Sequence, residues 1–178
     1  RALELLGGDE SITEEEFHAY KYDMTYSRAS RCAALLAEVL NAPPPDDPVV
    51  REALDVLRAW DLSADPGNRS MAMAALAFEP LIRAEMFGDK PPDLWQTLKE
   101  RAHVLKDTHG RLDVPWSEVN RLRRGAADLG LGGGPDTLRA VYGKLRNGRI
   151  IANEGDCYIL MVTWDPDGRV RSQSIHQF

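Results

Sequence analysis

The residues of this sequence with the strongest potential for catalytic chemistry are two cysteines and four histidines. Cys157 and His176 lie in the final segment, GDCYILMVTWDPDGRVRSQSIHQF. A catalytic cysteine needs a lowered pKa, partial exposure and a base within hydrogen-bond reach. Cys157 stands early in an apolar run that predicts a strand, and the sequence sets no partner for it. We interpret it as a structural thiol, although the pattern leaves a contact with His176 on the neighbouring strand open.

Metal and phosphate sites have little support in the sequence. Asp165, Asp167 and Gly168 resemble the start of a calcium loop, but the bidentate glutamate is absent, so we interpret them as a hairpin turn. The glycine-rich segment GLGGGP, residues 130–135, lacks the Lys-Ser/Thr pair of a phosphate loop. The histidines form no HxxxH or HExxH pair and the cysteines no CxxC pair, so no zinc site is predicted. These histidines are His18, His103, His109 and His176.

Two further candidates have structural interpretations. Cys32 lies in the apolar stripe of a helix, which predicts a core position. Arg121, Arg123 and Arg124 form a basic cluster, which we interpret as a solvated or salt-bridged face. We therefore assign no catalytic, cofactor-binding or metal-ligating residue to this sequence.

Residues 1–112 predict a helical region. Residues 13–16 match a capping box, and Asp47-Pro48 matches an N-cap followed by proline at the first helical position. Pro80 is expected to kink or split a helix, and Gly110 to end the region. Apolar stripes at helical spacing include Cys32, Leu35, Leu36, Val39 and Leu40, then Val50, Ala53, Leu54, Leu57 and Trp60, then Met71, Ala75, Phe78, Ile82 and Met86, and finally Leu94, Leu98, Ala102 and Leu105.

Residues 113–178 predict a short helix, a glycine-rich loop and β-strands. The short helix has Pro115 near its start and Gly125 just past its end. The strand at 156–164 is largely apolar on both faces, so we expect a central strand that is covered on both sides. The strands are predicted at residues 138–142, 149–152, 156–164 and 169–175, the last two joined by Asp165-Pro166-Asp167-Gly168.

Composition places the chain among ordinary globular proteins. It has 178 residues, of which 43% are hydrophobic and 28% charged, and a net charge of −6. The acidic balance argues against a dominant nucleic-acid surface. No apolar run approaches the ~18–20 residues of a membrane span. Two cysteines are too few for a disulfide scaffold.

Four ordered blocks of the sequence resemble the penicillin amidase family, most closely the branch of acyl-homoserine-lactone and aculeacin acylases. In the last block the family usually has GDSY. Cys157 replaces that serine here, a near-isosteric change that suits a structural position. The blocks are RALELLGGDESITEEEFHAYKYDMTYSRAS, AWDLSADPGNRSMAMAALAF, DVPWSEVNRLRRGAADLGLGGGPDTLRAVYG and GDCYILMVTWDPDGRVRSQSIHQF.

The resemblance implies an N-terminal-nucleophile hydrolase with an αββα sandwich, made as an exported precursor and cleaved into two chains. The serine at the start of the larger chain would attack an amide, with its own α-amino group as base and an asparagine holding the oxyanion. None of these residues maps onto this sequence. We expect the serine, the asparagine and the family's active-site arginine to precede Arg1.

We therefore expect an α+β fold, a helical region followed by antiparallel strands, both parts of one larger acylase domain truncated at both ends. The expected function is the C-terminal structural portion of a periplasmic or secreted acylase of antibiotic biosynthesis or quorum quenching, inactive alone. The parent would hydrolyse linear amides of penicillins, acyl-homoserine lactones or lipopeptides. Its expected partners are the smaller chain and the N-terminal part of the larger chain, without nucleic acid or a cofactor. The alternative is a non-catalytic helical-plus-β interaction module.

Overall fold

The computed structural model describes residues 1–156 and 158–176, with the main chain alone at residue 176. Within these residues, seven helices precede six strands, so the predicted α+β class is confirmed. The helices are α1 (Ala2–Leu6), α2 (Glu14–Lys21), α3 (Arg31–Asn41), α4 (Pro48–Arg58), α5 (Met71–Phe87), α6 (Leu94–His109) and α7 (Trp116–Val119). The strands are β1 (Asn120–Arg124), β2 (Ala127–Gly130), β3 (Val141–Arg146), β4 (Arg149–Gly155), β5 (Tyr158–Trp164) and β6 (Val170–His176).

The helix ends follow the capping signals of the sequence. Thr13 and Glu16 form the predicted capping box at the start of α2. Asp47 accepts hydrogen bonds from the first main-chain N–H groups of α4, with Pro48 at the first helical position. Gly110 ends α6 in the left-handed conformation that glycine adopts without steric cost.

Helix α5 is the centre of the helical region. Residues 71–78 are all buried, with 0–6% of their surface exposed. A helix that is apolar all round must be covered by its neighbours, and α5 contacts α3, α4, α6 and α7. Pro80 does not split the helix, which continues to Phe87. Burial of Phe78 and Leu81 on either side of Pro80 keeps both parts packed as one helix.

Strands β1 to β4 form a mixed sheet in the order β2-β1-β4-β3. The β1–β2 and β3–β4 pairs are antiparallel and the β1–β4 pair is parallel. Asn147 and Gly148 turn between β3 and β4, both with positive φ, as a two-residue hairpin loop requires. The prediction does not use this Asn-Gly signal, although it marks the turn between β3 and β4.

The short predicted helix ends much earlier than expected. Helix α7 ends at Val119, and residues 120–124 are strand β1. The helix prediction for Arg121, Arg123 and Arg124 was therefore wrong. The reason is that Arg121 to Arg124 form a hairpin with residues 127–130 of β2, and that Asn120 and Arg121 also pair with β4.

The predicted strand at residues 138–142 was misplaced. Strand β3 starts at Val141, and residues 138–140 belong to the connection before it. The Leu138 carbonyl accepts a hydrogen bond from the Lys21 side chain at 2.6 Å, and the Arg139 carbonyl accepts one from the Thr137 hydroxyl at 2.8 Å. These side chains bind the segment to α2 and to its own loop, so its carbonyls are satisfied outside a sheet.

Strands β5 and β6 form a separate antiparallel pair around the predicted turn, which is confirmed. The Asp165 N–H donates to the Arg169 carbonyl and the Gly168 N–H to the Asp165 carbonyl, both at 2.9 Å. The prediction that β5 is covered on both sides was wrong for the described chain. Ile159 and Met161 are buried, whereas Leu160 and Trp164 on the opposite face are 49% and 69% exposed.

Ion pairs connect the helical region to the sheet. The Asp156 carboxylate, just after β4, accepts a hydrogen bond from the Lys21 Nζ of α2 at 2.9 Å. Arg139 lies 3.5 Å from the same carboxylate. These side chains are about one-fifth to one-quarter exposed, which limits screening by solvent. The helical region and the strands are therefore joined by charge as well as by apolar packing.

The contact between the β3–β4 turn and α6 gives a stability prediction. A Cβ atom at Gly148 would lie 2.0 Å from the Thr108 Oγ1, whereas a Cβ at Gly168 would meet no described atom within 4 Å. Both glycines have positive φ. We expect Gly168→Ala to cost about 1–2 kcal/mol through backbone strain alone, and Gly148→Ala to cost roughly 1–3 kcal/mol more through overpacking. Urea unfolding of both variants measures the difference, and equal losses would contradict the contact.

Candidate functional site

A contact between Cys157 and His176 is not tested by the structure. Cys157 lies outside the described residues, and only the main chain of His176 is described, paired with Tyr158 across the β5–β6 hairpin. The interpretation of Cys157 as a structural thiol therefore remains a prediction.

The basic cluster of β1 forms ion pairs. Arg121 and Arg123 donate to the two carboxylate oxygens of Asp128 on β2, at 2.8 and 3.1 Å. Arg121 also binds the Ser117 carbonyl at 2.9 Å. The salt-bridged interpretation is confirmed for these two arginines. Their ion pairs with Asp128 connect β1 with β2.

The glycine-rich segment has structural contacts in its second half. The Gly133 carbonyl accepts a hydrogen bond from the Trp116 indole N–H at 2.7 Å, and its N–H donates to the Ala64 carbonyl at 2.9 Å. Gly133 has φ +74, and a Cβ there would lie 2.3 Å from the Arg139 carbonyl oxygen. Glycine is required at this position because the chain turns in the left-handed region against another main-chain segment.

Arg1 is bound to the helical region. Its Nε and Nη2 donate to the two Asp23 carboxylate oxygens at 3.1 and 3.0 Å. This two-point pair raises the pKa of the Arg1 guanidinium. The arrangement gives Arg1 a positioning contact with the segment after α2.

Cys32 is buried, as its helical stripe predicts, and it borders a pocket. Burial raises the pKa of its thiol to about 12, with a smaller contribution from Asp136. The pocket has a volume of about 210 Å³ and opens between the second half of α5 and the connection before β3. Its polar lining includes Tyr26, Glu79, Asp136, Tyr142 and Glu154.

Burial and negative charge dominate this pocket. Desolvation raises the pKa of Glu79; the Arg83 guanidinium lowers it, and the Asp136 carboxylate makes a smaller contribution that raises it. Desolvation also raises the pKa of Tyr142, whose hydroxyl donates to Asp136 Oδ1 at 3.0 Å. The pocket therefore places carboxyl and hydroxyl groups beside apolar walls, an arrangement typical of small-molecule sites.

Sequence reasoning missed this pocket. Tyr26 follows α2, Glu79 lies in α5, and Asp136 precedes β3, so no local spacing connects them. In the sequence, Asp136 could be recognised only as a turn residue after Pro135. Only the tertiary structure, which brings α5 close to the connection before β3, places these side chains around one cavity.

The histidines and acids form no metal site in the described part of the chain. No group of three or more His, Cys, Asp or Glu side chains is arranged to hold a metal ion among residues 1–156 and 158–176. His109 Nε2 lies 3.3 Å from the Gly148 carbonyl oxygen, at the same contact between α6 and the β3–β4 turn.

Comparison with known families identifies the chain at the family level. A sequence model of penicillin amidase matches residues 1–177. The chain belongs to the penicillin amidase family. No curated protein matches the sequence. Among the described residues of this penicillin amidase family member, no helix is long and apolar enough to cross a membrane.

The burial of Cys32 gives a reactivity prediction. With a pKa of about 12, about one thiol in ten thousand is ionised at pH 8, and the thiolate is the reactive form. We expect Cys32 in the Cys157→Ala variant to react with Ellman's reagent at least about a hundredfold more slowly than in urea. In the matched Cys32→Ala variant, the same reaction measures the reactivity of Cys157. Equal Cys32 rates with and without urea would contradict the buried thiol.

Proposed function

We propose that this chain is the C-terminal structural portion of an acylase that hydrolyses linear amides. Membership of the penicillin amidase family supports an amidohydrolase parent. The substrates proposed are acylated small molecules, namely penicillins, acyl-homoserine lactones or acylated lipopeptides. In this proposal the parent is periplasmic or secreted, and this chain completes an αββα sandwich and forms part of the wall of the acyl pocket.

The observation that carries this proposal is the uncovered apolar face of β5. Tyr158, Leu160 and Trp164 on this face are 54%, 49% and 69% exposed. The strands of a sandwich bury apolar side chains on the inner face and are covered by helices on the outer face. A second layer supplied by the rest of the parent would remove this apolar surface from water, which stabilises an assembly by ~25 cal/mol per Å².

The catalytic groups are proposed to lie in other parts of the parent. Within the described residues, no serine, threonine or cysteine side chain is hydrogen-bonded to a histidine. The resemblance described above assigns the attack to an N-terminal serine that uses its own α-amino group as base. The partners proposed for this chain are therefore the smaller chain and the N-terminal part of the larger chain.

The free-standing interaction module is the weaker alternative. The family match extends over residues 1–177, both the helical region and the strands. A match of this extent favours an acylase part over an unrelated module. The gene sequence upstream of Arg1 tests this directly. An export signal and an internal Gly-Ser-type cleavage site, which would leave a serine at the start of the larger chain, support the acylase.

We expect the 178-residue chain to show no turnover of chromogenic amides or acyl-homoserine lactones, because the proposed nucleophile and oxyanion group lie elsewhere. The measurement is release of chromophore or free amine by the purified chain, compared with the full-length gene product. The full-length product is expected to hydrolyse at least one of these amides.

The cysteine variants make this prediction specific. Cys157→Ser is expected to be well tolerated if the position is structural. Turnover by the 178-residue chain that Cys157→Ala abolishes and Cys32→Ala spares would overturn the proposal and support a cysteine nucleophile.

The exposed strand face gives an independent prediction. In the 178-residue chain, Met161→Ser is expected to cost roughly 2–4 kcal/mol because Met161 is buried, and Leu160→Ser less than about 1 kcal/mol. In the full-length protein, both substitutions are expected to be similarly destabilising because the second layer covers Leu160. Urea unfolding of the two variants in both proteins measures this. A mild effect of Leu160→Ser in the full-length protein would contradict the covering layer.

A further inference from the structure

The pocket beside α5 has the dimensions of a small organic ligand. Its volume is about 210 Å³, and an apolar protein cavity of about 150 Å³ is large enough to bind benzene. Ile82, Met86 and Phe87 of α5 form one apolar wall, with Pro135 opposite. A ligand with one aromatic ring and a short side chain therefore fits the available space.

The buried end of the pocket contains a hydroxyl group without a partner. Tyr26 is only 3% exposed, and its hydroxyl makes no hydrogen bond with any residue of the described chain. The side chains of Cys32, Asp136, Tyr142 and Glu79 line the same pocket. The hydroxyl oxygen is not one of the fully enclosed polar atoms that lack a partner, so it is open to the pocket and available to a hydrogen-bonding group of a ligand.

The charge of the pocket selects a cation. Three carboxyl groups line it, those of Glu79, Asp136 and Glu154, against one cation, Arg83. Arg83 lies 3.6 Å from the Glu79 carboxylate on its own helix and is 58% exposed, so it neutralises the pocket only in part. An anionic ligand would be repelled, and a neutral one would gain no ion pair with these carboxylates.

Asp136 is positioned to receive the cation. The residue has φ +62, the left-handed conformation, and Tyr142 donates a hydrogen bond to its Oδ1 at 3.0 Å. In the part of the chain that the structure describes, no side chain donates to Asp136 Oδ2. One oxygen therefore fixes the carboxylate and the other is available to a ligand N–H group.

We propose that this pocket binds a small organic ammonium ion of the arylalkylamine class. The ammonium group binds beside Asp136 and Glu79, and the ring lies against Ile82, Met86 and Phe87. The Tyr26 hydroxyl supplies a further hydrogen bond at the buried end. A metal ion is a poor fit because the described acids do not form a group of three ligands. The proposal rests on the pocket lining and holds whether or not the parent is an acylase.

Titration with phenethylamine, 2-phenylethanol and 3-phenylpropanoate tests the charge selection. These probes have similar size and are a cation, a neutral molecule and an anion at neutral pH. Isothermal titration calorimetry at low ionic strength, on the 178-residue chain and on the full-length gene product, is expected to show saturable binding of phenethylamine. The alcohol is expected to bind about tenfold more weakly and the anion not at all.

Three variants assign the binding to the pocket. Asp136→Asn retains a residue that tolerates the left-handed conformation and is expected to weaken phenethylamine binding about tenfold without affecting the alcohol. Tyr26→Phe keeps the ring and is expected to weaken amine binding about threefold to tenfold. Glu118→Gln removes one exposed acid that does not line the pocket and is expected to leave the affinity unchanged.

Several results would overturn the proposal. Equal binding of the amine and the alcohol would show an apolar pocket without charge selection. An equal loss in Glu118→Gln and Asp136→Asn would show a general attraction to an acidic protein. Absence of binding in both proteins, with circular dichroism showing the helical fold retained, would exclude this ligand class. Binding to the short chain alone would show that the full-length protein lacks the site, and would also overturn the proposal.

Discussion

The burial of the first half of α5 is the constraint on which the rest of the structure depends. Residues 71–78 have no polar side to face solvent, and every one of them is buried. Each fully buried Met, Leu or Phe side chain contributes about 1.5–3 kcal/mol relative to exposure. Helices α3, α4 and α6 and the short α7 are arranged around α5. The alanines of this half, such as Ala72 and Ala74, leave room for those neighbours to approach closely.

The second half of α5 leaves this core, and the proposed ligand pocket lies at that point. Glu79 is the first charged residue after the buried half, and Met86 and Phe87 are 61% and 65% exposed. The strands do not cover this half as the helices cover the first. A partly desolvated carboxyl group, an unpartnered tyrosine hydroxyl and exposed apolar side chains consequently meet in one cleft. The packing that buries the first half of α5 therefore leaves these groups together around its second half.

The β5–β6 hairpin connects the fold with the proposed function. An apolar strand whose outer face lies in water is costly for a protein that acts alone, and exposed strands of this kind promote association. In the acylase parent that we propose, a second layer would cover this face. In that proposal, the activity belongs to the whole parent, to which this chain contributes packing layers.

Local interactions let the sequence predict the longer helices, several of their caps and the Asp165–Gly168 turn, since capping groups, apolar spacing and proline or glycine act over a few residues. The family resemblance also followed from the sequence, because four blocks retain their order. Only the tertiary structure decided that Arg121 lies in a strand, since it pairs with Ile151 of β4, 30 positions away. It alone brought Tyr26, Glu79 and Asp136 into one pocket and left Leu160 exposed, because burial depends on which elements pack against a surface.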